Sequence, residues 1–290
     1  RFLIMRLLSG FLFAALFVMF ATGPVWAAPD ADLWPDWQAN DAQSTQEIDH
    51  ADWQEILDRY VTEVEPGVTT FDYAGALSDG GAAAVASYVS DMADVAVDGL
   101  NRDQQFAYWV NLYNALTVKV VLDHYPVDSI RDIDISPGFF SSLLSSGPWG
   151  KKLITVEGRT LSLDDIEHRI LRPIWNDPRI HYVVNCASVG CPALAPTAFV
   201  ADQLEAQLDQ AARGFINHPR AVRAGVDGDG DLVLSSLFDW YRDDFGARDA
   251  DFIAHLKRFA GPDLMALLGN ADGFEIAGYE YDWDLNDTRP

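Results

Sequence analysis

HYVVNCASVGCP, residues 181 to 192, contains both cysteines of the chain, Cys186 and Cys191. Ala-Ser-Val-Gly separates them, short and mostly small, so the chain can turn back on itself and close a Cys186–Cys191 disulfide. In an oxidising compartment an even cysteine count reads as a bond. A loop this short removes little chain entropy, so such a clip stabilises at the low end of the usual range and mainly pins one turn. The competing chemistry is nucleophilic: Cys186 follows an apolar run and precedes a small-residue turn, where a reactive group can reach a cleft. A thiolate then needs a base or a positive helix end beside it. His168, His181 and His124 are the candidates. His168 lies one turn after Asp164 and Asp165, which can orient its imidazole. His181 is the alternative, although in an alternating strand the odd offset from His181 to Cys186 turns the two to opposite faces. A third use, redox cycling of the pair, meets a spacing wider than the C-x-x-C pattern that stabilises one thiolate.

A second polar group lies on the apolar segment QQFAYWVNLYNALTVKVVLDHY. Tyr108, Asn111 and Asn114 are spaced three apart and share a helix face. Buried Asn must be hydrogen-bonded, so Asn111 and Asn114 either fix packing against loops or polarise a substrate carbonyl. Metal chemistry finds little support. His181 and the cysteines lack a second Cys or His pair at ligand spacing. An EF-hand counted from Asp227 needs Gly at its sixth position and Glu at its twelfth, where Leu232 and Phe238 stand. DGDGD therefore reads as a hairpin turn. No cofactor motif is present, so no cofactor is expected.

The elements that must position these groups follow from periodicity and breakers. Ile48 to Val64 has a helical apolar face ended by Pro66-Gly67. Ala82 to Met92 reads as a second helix. Asn101 caps a long third helix, apolar almost all round, which therefore belongs in the centre of the core. WGKKLITVEGRTLSL reads as a hairpin about Glu157-Gly158. Ser162 opens a helix with acids in its first turn. RIHYVVN reads as a buried strand. A helix over 201–217, a hairpin over 221–235, short helices over 236–245 and 251–259, and an aromatic tail complete the chain. The expected fold class is α+β: helices, including a central buried helix, packed around a small, mostly antiparallel sheet.

The first residues bear on redox compartment. Arg6, an apolar run from Leu7 to Ala21 and the Val25 to Ala27 end follow the plan of a signal peptide over 1–27. Residues 28–46 read as a mobile leader, and 47–290 as a single domain. The expected location is periplasmic or secreted, with no stable membrane span after cleavage. The formal net charge is −24, and losing Arg1 and Arg6 makes it two units more negative. Such a polyanion repels nucleic acid, leaving an unidentified small molecule or protein as the partner.

Taken together, FAYWVNLYNALTVKVVLDHYP, SIRDI, the stretch from Trp149 to Pro173, HYVVNCASVGCPAL and LFDWYRDDF resemble the successive blocks of the domain of unknown function 547 family, from about Asn101 to about Phe245. On that resemblance Asn111, Tyr113, Asn114, Arg131, Glu167, His168, His181, Cys186, Ser188, Cys191 and Pro192 match the family's blocks. The family name implies no activity. Three functions stay open: an exported binding or structural domain with a Cys186–Cys191 clip, which the cysteine arithmetic favours; a thiol-dependent hydrolase or transferase using Cys186 with His168 or His181 and Asn111 or Asn114; and a thiol-redox protein.

Overall fold

The computed structural model describes residues 29–135, 147–225, 231–246, 248–269 and 275–289. The expected signal peptide and the tip of the DGDGD turn lie outside them. Among the described residues no helix is long and apolar enough to cross a membrane.

Helix α1 (Ala51–Tyr60) buries Trp53, Ile56, Leu57 and Tyr60, one face at helical spacing. It ends earlier than its apolar periodicity predicts. Val61 onward pairs instead, as strand β1 (Val61–Glu65) antiparallel to β2 (Val68–Phe71). The Pro66-Gly67 turn reverses the chain there, and β-branched Val61, Thr62 and Val64 suit a strand better than a helix end. Asp72 caps α2 (Tyr73–Ser78) by accepting from the Gly75 amide, and α3 (Gly81–Ala93) follows.

The long helix α4 (Arg102–His124) starts where Asn101 accepts from the Gln104 amide. Every residue from Gln105 to Val118 is buried, so α4 is the axis of the larger core. Strands β3 (Ile154–Val156) and β4 (Arg159–Leu161) form the expected hairpin. Its turn residues Glu157 and Gly158 both have positive φ, the two-residue geometry that matches strand twist. Ser162 and Asp165 form a reciprocal capping box at the start of α5 (Leu163–Asp165). The chain then widens into a π-helical segment, Ile166–Leu171, before α6 (Arg172–Trp175).

Residues 178–182 differ from expectation. They form a 3-10 turn, Pro178–Tyr182, rather than a strand. Pro178 cannot donate to a sheet ladder, and Asp177 caps the turn by accepting from the Arg179 amide. Strand parity therefore does not govern His181.

Helix α7 (Leu204–Ile216) leads to β5 (Val222–Ala224), antiparallel to β6 (Leu232–Ser235), which pairs in parallel with β7 (Ile276–Glu280). Short helices α8 (Leu237–Trp240), α9 (Arg242–Phe245), α10 (Asp249–Phe259) and α11 (Pro262–Gly269) fill the connection. They close a second core rich in phenylalanine, including Phe215, Phe238, Phe245, Phe252 and Phe259. The fold is α+β as expected, but among the described residues its strands form three small sheets instead of one.

The segment 29–46, expected to be mobile, is tied to the domain. Asp32 and Trp34 amides donate to the His168 and Arg169 carbonyls, Gln105 donates to the Ala39 carbonyl, and Trp37 is buried against Trp109. Trp34 and Trp37 supply apolar area that its polar, Pro-containing composition obscured.

Candidate active site

The Cys186 turn is held by side-chain amides. Asn114, on α4, donates to the Val183 carbonyl at 2.9 Å and accepts from the Asn185 amide at 2.8 Å. Asn185 donates to the Pro192 carbonyl across the turn at 2.7 Å and accepts from the Ala187 amide at 2.9 Å. Ala187 takes φ 59°, a left-handed conformation costly for a residue with a Cβ, so these contacts hold the backbone immediately after Cys186 in a strained shape. The segment 281–286 lies along the turn: Gly190 and Val189 amides donate to the Asp282 and Asp284 carbonyls at 2.8 Å. A Cβ on Gly190 would meet Asp282 backbone at 2.7 Å, so glycine is what admits this close approach. That approach brings Tyr281 to the sulfur.

Both cysteines are free thiols. The expected clip is thus not formed; the Cys186 amide instead donates to Cys191 Sγ at 3.0 Å. Cys186 Sγ lies 3.0 Å from Tyr281 Oη and 3.2 Å from Ser188 Oγ. Burial pushes the Cys186 thiol up, but hydrogen bonds from Cys191, Ser188 and Tyr281 outweigh it and bring the thiol below its ordinary value. Cys191 goes the other way, pushed well up by burial and by Cys186. Of the pair, Cys186 is the sulfur able to carry negative charge.

Cys186 opens onto a cavity of about 590 Å³, whose lining includes Tyr113, Asp164, Glu167, His168, His181, Cys191, Tyr241 and Tyr281. Two of these come from the π-helical segment. Its wide turn buries the consecutive residues Glu167 and His168 together on the cavity side, and such turns recur at functional sites.

His168 Nδ1 accepts from Arg172 Nη1 at 3.1 Å; a guanidinium only donates, so the imidazole proton sits on Nε2, 3.8 Å from Asp164 Oδ1. Burial lowers His168 to about 4, keeping the ring neutral. His181 is oriented from its far side: Nε2 lies 2.7 Å from Asp244 Oδ2, and Tyr241 stacks on the ring at a centroid distance of 3.9 Å. Asp244 also accepts from Arg172 Nε at 2.6 Å. Burial raises the Asp244 carboxyl, but His181 and Arg172 reverse this and hold it well below the usual range, so it accepts and His181 Nε2 donates. His181 Nδ1 is buried without a hydrogen-bond partner. Glu167 Oε1 is 3.6 Å from it, while Glu167 Oε2 accepts from Tyr113 Oη at 3.2 Å. Burial raises Glu167, and His168, His181 and Arg172 more than compensate, bringing it to about 2. A proton arriving at His181 Nδ1 would face a carboxylate.

The structure thus brings Cys186, His168 and His181 to one cavity. Asn111 and Asn114 are spent elsewhere. The Asn111 amide pairs in both directions with the Phe199 backbone, at 2.8 and 2.9 Å, and neither Asn lines the cavity. Tyr108 donates to the Met92 carbonyl, and His124 contacts the Val120 carbonyl within its own helix. Sequence reasoning did not single out Asp244, Arg172, Tyr241 or Tyr281. Two of them lie within LFDWYRDDF, a block noted without roles for its members.

Residues 97–216 match the family model described as "Protein of unknown function, DUF547", so a DUF547 domain occupies that stretch. The match spans α4, the π-helical segment and the cysteine turn. Asp244, Tyr241 and Tyr281 lie beyond it. No curated protein and no solved structure matches the chain.

Proposed function

We propose that this protein is a thiol-dependent acyl-transfer enzyme, a hydrolase or transferase, with Cys186 as nucleophile and His181 as proton carrier. The observation that carries this reading is a free, acidified Cys186 thiol facing a cavity that also holds an oriented imidazole with an unpartnered nitrogen. Cys186 Sγ forms a bond to an acyl carbon. The thiol proton passes to His181 Nδ1, and the leaving oxygen or nitrogen takes it from there as its bond to the acyl carbon breaks. Asp244 and Glu167 flank the imidazolium formed in between. Water or a second nucleophile then releases the acyl group from sulfur. His168 is not free to take it: its Nδ1 lone pair accepts from Arg172 and its Nε2 already bears a proton.

The test uses aryl esters as generic acyl donors. Intact-mass measurement is expected to show one acyl group on Cys186, lost on turnover, absent in Cys186→Ser and slowed by His181→Ala. Acylation of the native protein no faster than of its unfolded chain would sink the proposal.

A second reading, a structural clip beside a ligand cleft, is favoured by the adjacency of the two cysteines. The signal-like N-terminus supports export, where such a pair oxidises. Non-reducing alkylation of protein from the periplasm or medium separates the readings: one fast thiol supports the enzyme, full protection until reduction supports the clip.

A further inference from the structure

One side of the cavity is an aromatic wall. Trp240 and Trp283 stack with centroids 5.5 Å apart, Tyr281 lies 4.7 and 4.6 Å from them, and Trp149 meets Trp283 edge-on at 5.9 Å. These rings are half-buried, whereas the core tryptophans Trp53 and Trp109 are only 1 % exposed. A core ring has spent its faces on packing, but these keep surface for a ligand. Two carboxylic residues line the same cavity: Asp164, whose amide donates to the Trp149 carbonyl, and Asp239, next to Trp240 in sequence. The wall already holds one cation, since the Arg131 guanidinium lies 4.9 Å over the Trp283 ring. The buried, unpartnered His181 Nδ1 on the same lining independently points to a ligand that supplies a donor.

We infer that this cavity binds an alkylammonium group, with its methylenes or methyls against Trp240, Trp283 and Trp149 and its charge met by Asp164 and Asp239. Ring faces attract cations through their quadrupole, and the attraction grows when the cation is desolvated. A chain with a net charge of −24 draws such a ligand in rather than an anion. The inference names the substrate class for the proposed acyl-transfer site, and rests on that reading only in calling the ligand a substrate; binding itself does not need the thiol.

Asp164 gives the binding a pH dependence. Burial, Glu167 and Asp165 push its carboxyl up to about 6, against Arg169 and Lys152, and His168 Nε2 stands 3.8 Å away. Only the ionised form neutralises an ammonium, so affinity falls as the pH drops below about 6.

The experiment is calorimetric titration of the Cys186→Ser protein with choline and with dimethylbutanol, its uncharged isostere. At neutral pH choline is expected to bind about tenfold or more tightly than the isostere. The difference narrows at about pH 5. Trp240→Leu weakens choline more than the isostere and so narrows the preference. Asp164→Asn, which keeps the wall, weakens choline and removes the pH dependence, so the proposal stays testable if the Trp240 variant misfolds. Equal affinities, no heat from choline, or tighter binding of propionate overturns it. Binding is read in the variant without the nucleophile and acylation in the native protein, so choline binding with failed ester acylation of the native protein would sink the enzyme and leave this inference standing.

Discussion

His181 Nε2 lies 2.7 Å from Asp244 Oδ2, and that same oxygen takes a second hydrogen bond from Arg172 Nε at 2.6 Å. The carboxylate sets the imidazole tautomer, so the lone pair is left on Nδ1, the unpartnered nitrogen. Through Nη1, Arg172 sets the tautomer of His168 as well. One ion pair therefore orients both imidazoles of the cavity. Asp244→Asn is expected to slow acylation of Cys186 by about tenfold to a hundredfold, as removal of an orienting partner does at other histidine sites. It also destabilises the fold by roughly 2–4 kcal/mol by taking the bonded carboxylate away from a largely buried Arg172. Acylation rate and urea unfolding read the two effects separately. Unchanged acylation in a folded variant would show that Asp244 is only structural.

Tyr281 and Ser188 share the Cys186 sulfur, and they also contact each other at 3.1 Å. Both donate more usefully to a thiolate than to a thiol. Tyr281→Phe should therefore raise the Cys186 thiol and slow its alkylation at neutral pH several-fold, with little change above pH 9 where the thiolate forms regardless. Cys191 should stay unreactive until the protein unfolds. Peptide mapping after timed alkylation at several pH values measures both, and preferential labelling of Cys191 would reverse the assignment.

Much of this arrangement was readable in the residues. Asn101 marked the start of α4 because a cap has a local signature, and all-round apolarity placed that helix in the core. The Glu157-Gly158 hairpin was equally local. Where reasoning failed, a local pattern had two solutions. RIHYVVN has the composition of a buried strand, but Pro178 and Asp177 initiate a 3-10 turn, so the strand parity that set His181 on the opposite face from Cys186 does not apply. VTEVE extended a helical face yet pairs as a strand. Asp244 and Tyr281 were not legible as partners of His181 and Cys186, because those contacts are created by chain segments far apart in sequence. Nor does any residue type announce a π-helical turn at Ile166–Leu171.

Asn111 and Asn114 provide a comparison in which the burial is matched and the consequence differs. Each bonds one backbone amide and one carbonyl, so truncation to Ala leaves two buried polar groups unpaired and should cost about 2–4 kcal/mol. Only Asn114 holds the turn that carries Cys186. Asn114→Ala is expected to alter the alkylation rate of Cys186 as well as stability, whereas Asn111→Ala changes stability alone. Thermal unfolding together with alkylation kinetics tests this. An equal effect of both on the thiol would mean that the turn is not held through α4.

Stability should fall as the solution is acidified from neutrality, and the sign follows from three imidazoles. Burial lowers His50, His168 and His255 to about 4 each, against an ordinary 6.5. Between those values the unfolded chain binds protons that the folded chain refuses, so stability rises with pH across that window and is lost as pH falls through it. Asp164 opposes them. Its carboxyl is raised to about 6, so the folded state binds its proton first and stability from this group falls as pH rises from about 4 to 6. Three imidazoles outweigh one carboxyl, and the net slope stays positive. Glu167, held at about 2 in the fold, adds a loss that begins as the pH falls into the ordinary carboxylate range, where the unfolded chain takes up its proton, and is complete only below the folded value. A buried imidazole such as His168 accounts for roughly 3 kcal/mol across the full window. His168→Gln keeps an acceptor for Arg172 and removes the titration, so urea unfolding at a series of pH values should show a shallower slope between pH 4 and 6.5 in this variant. An unchanged slope would mean that His168 takes up its proton in the folded protein.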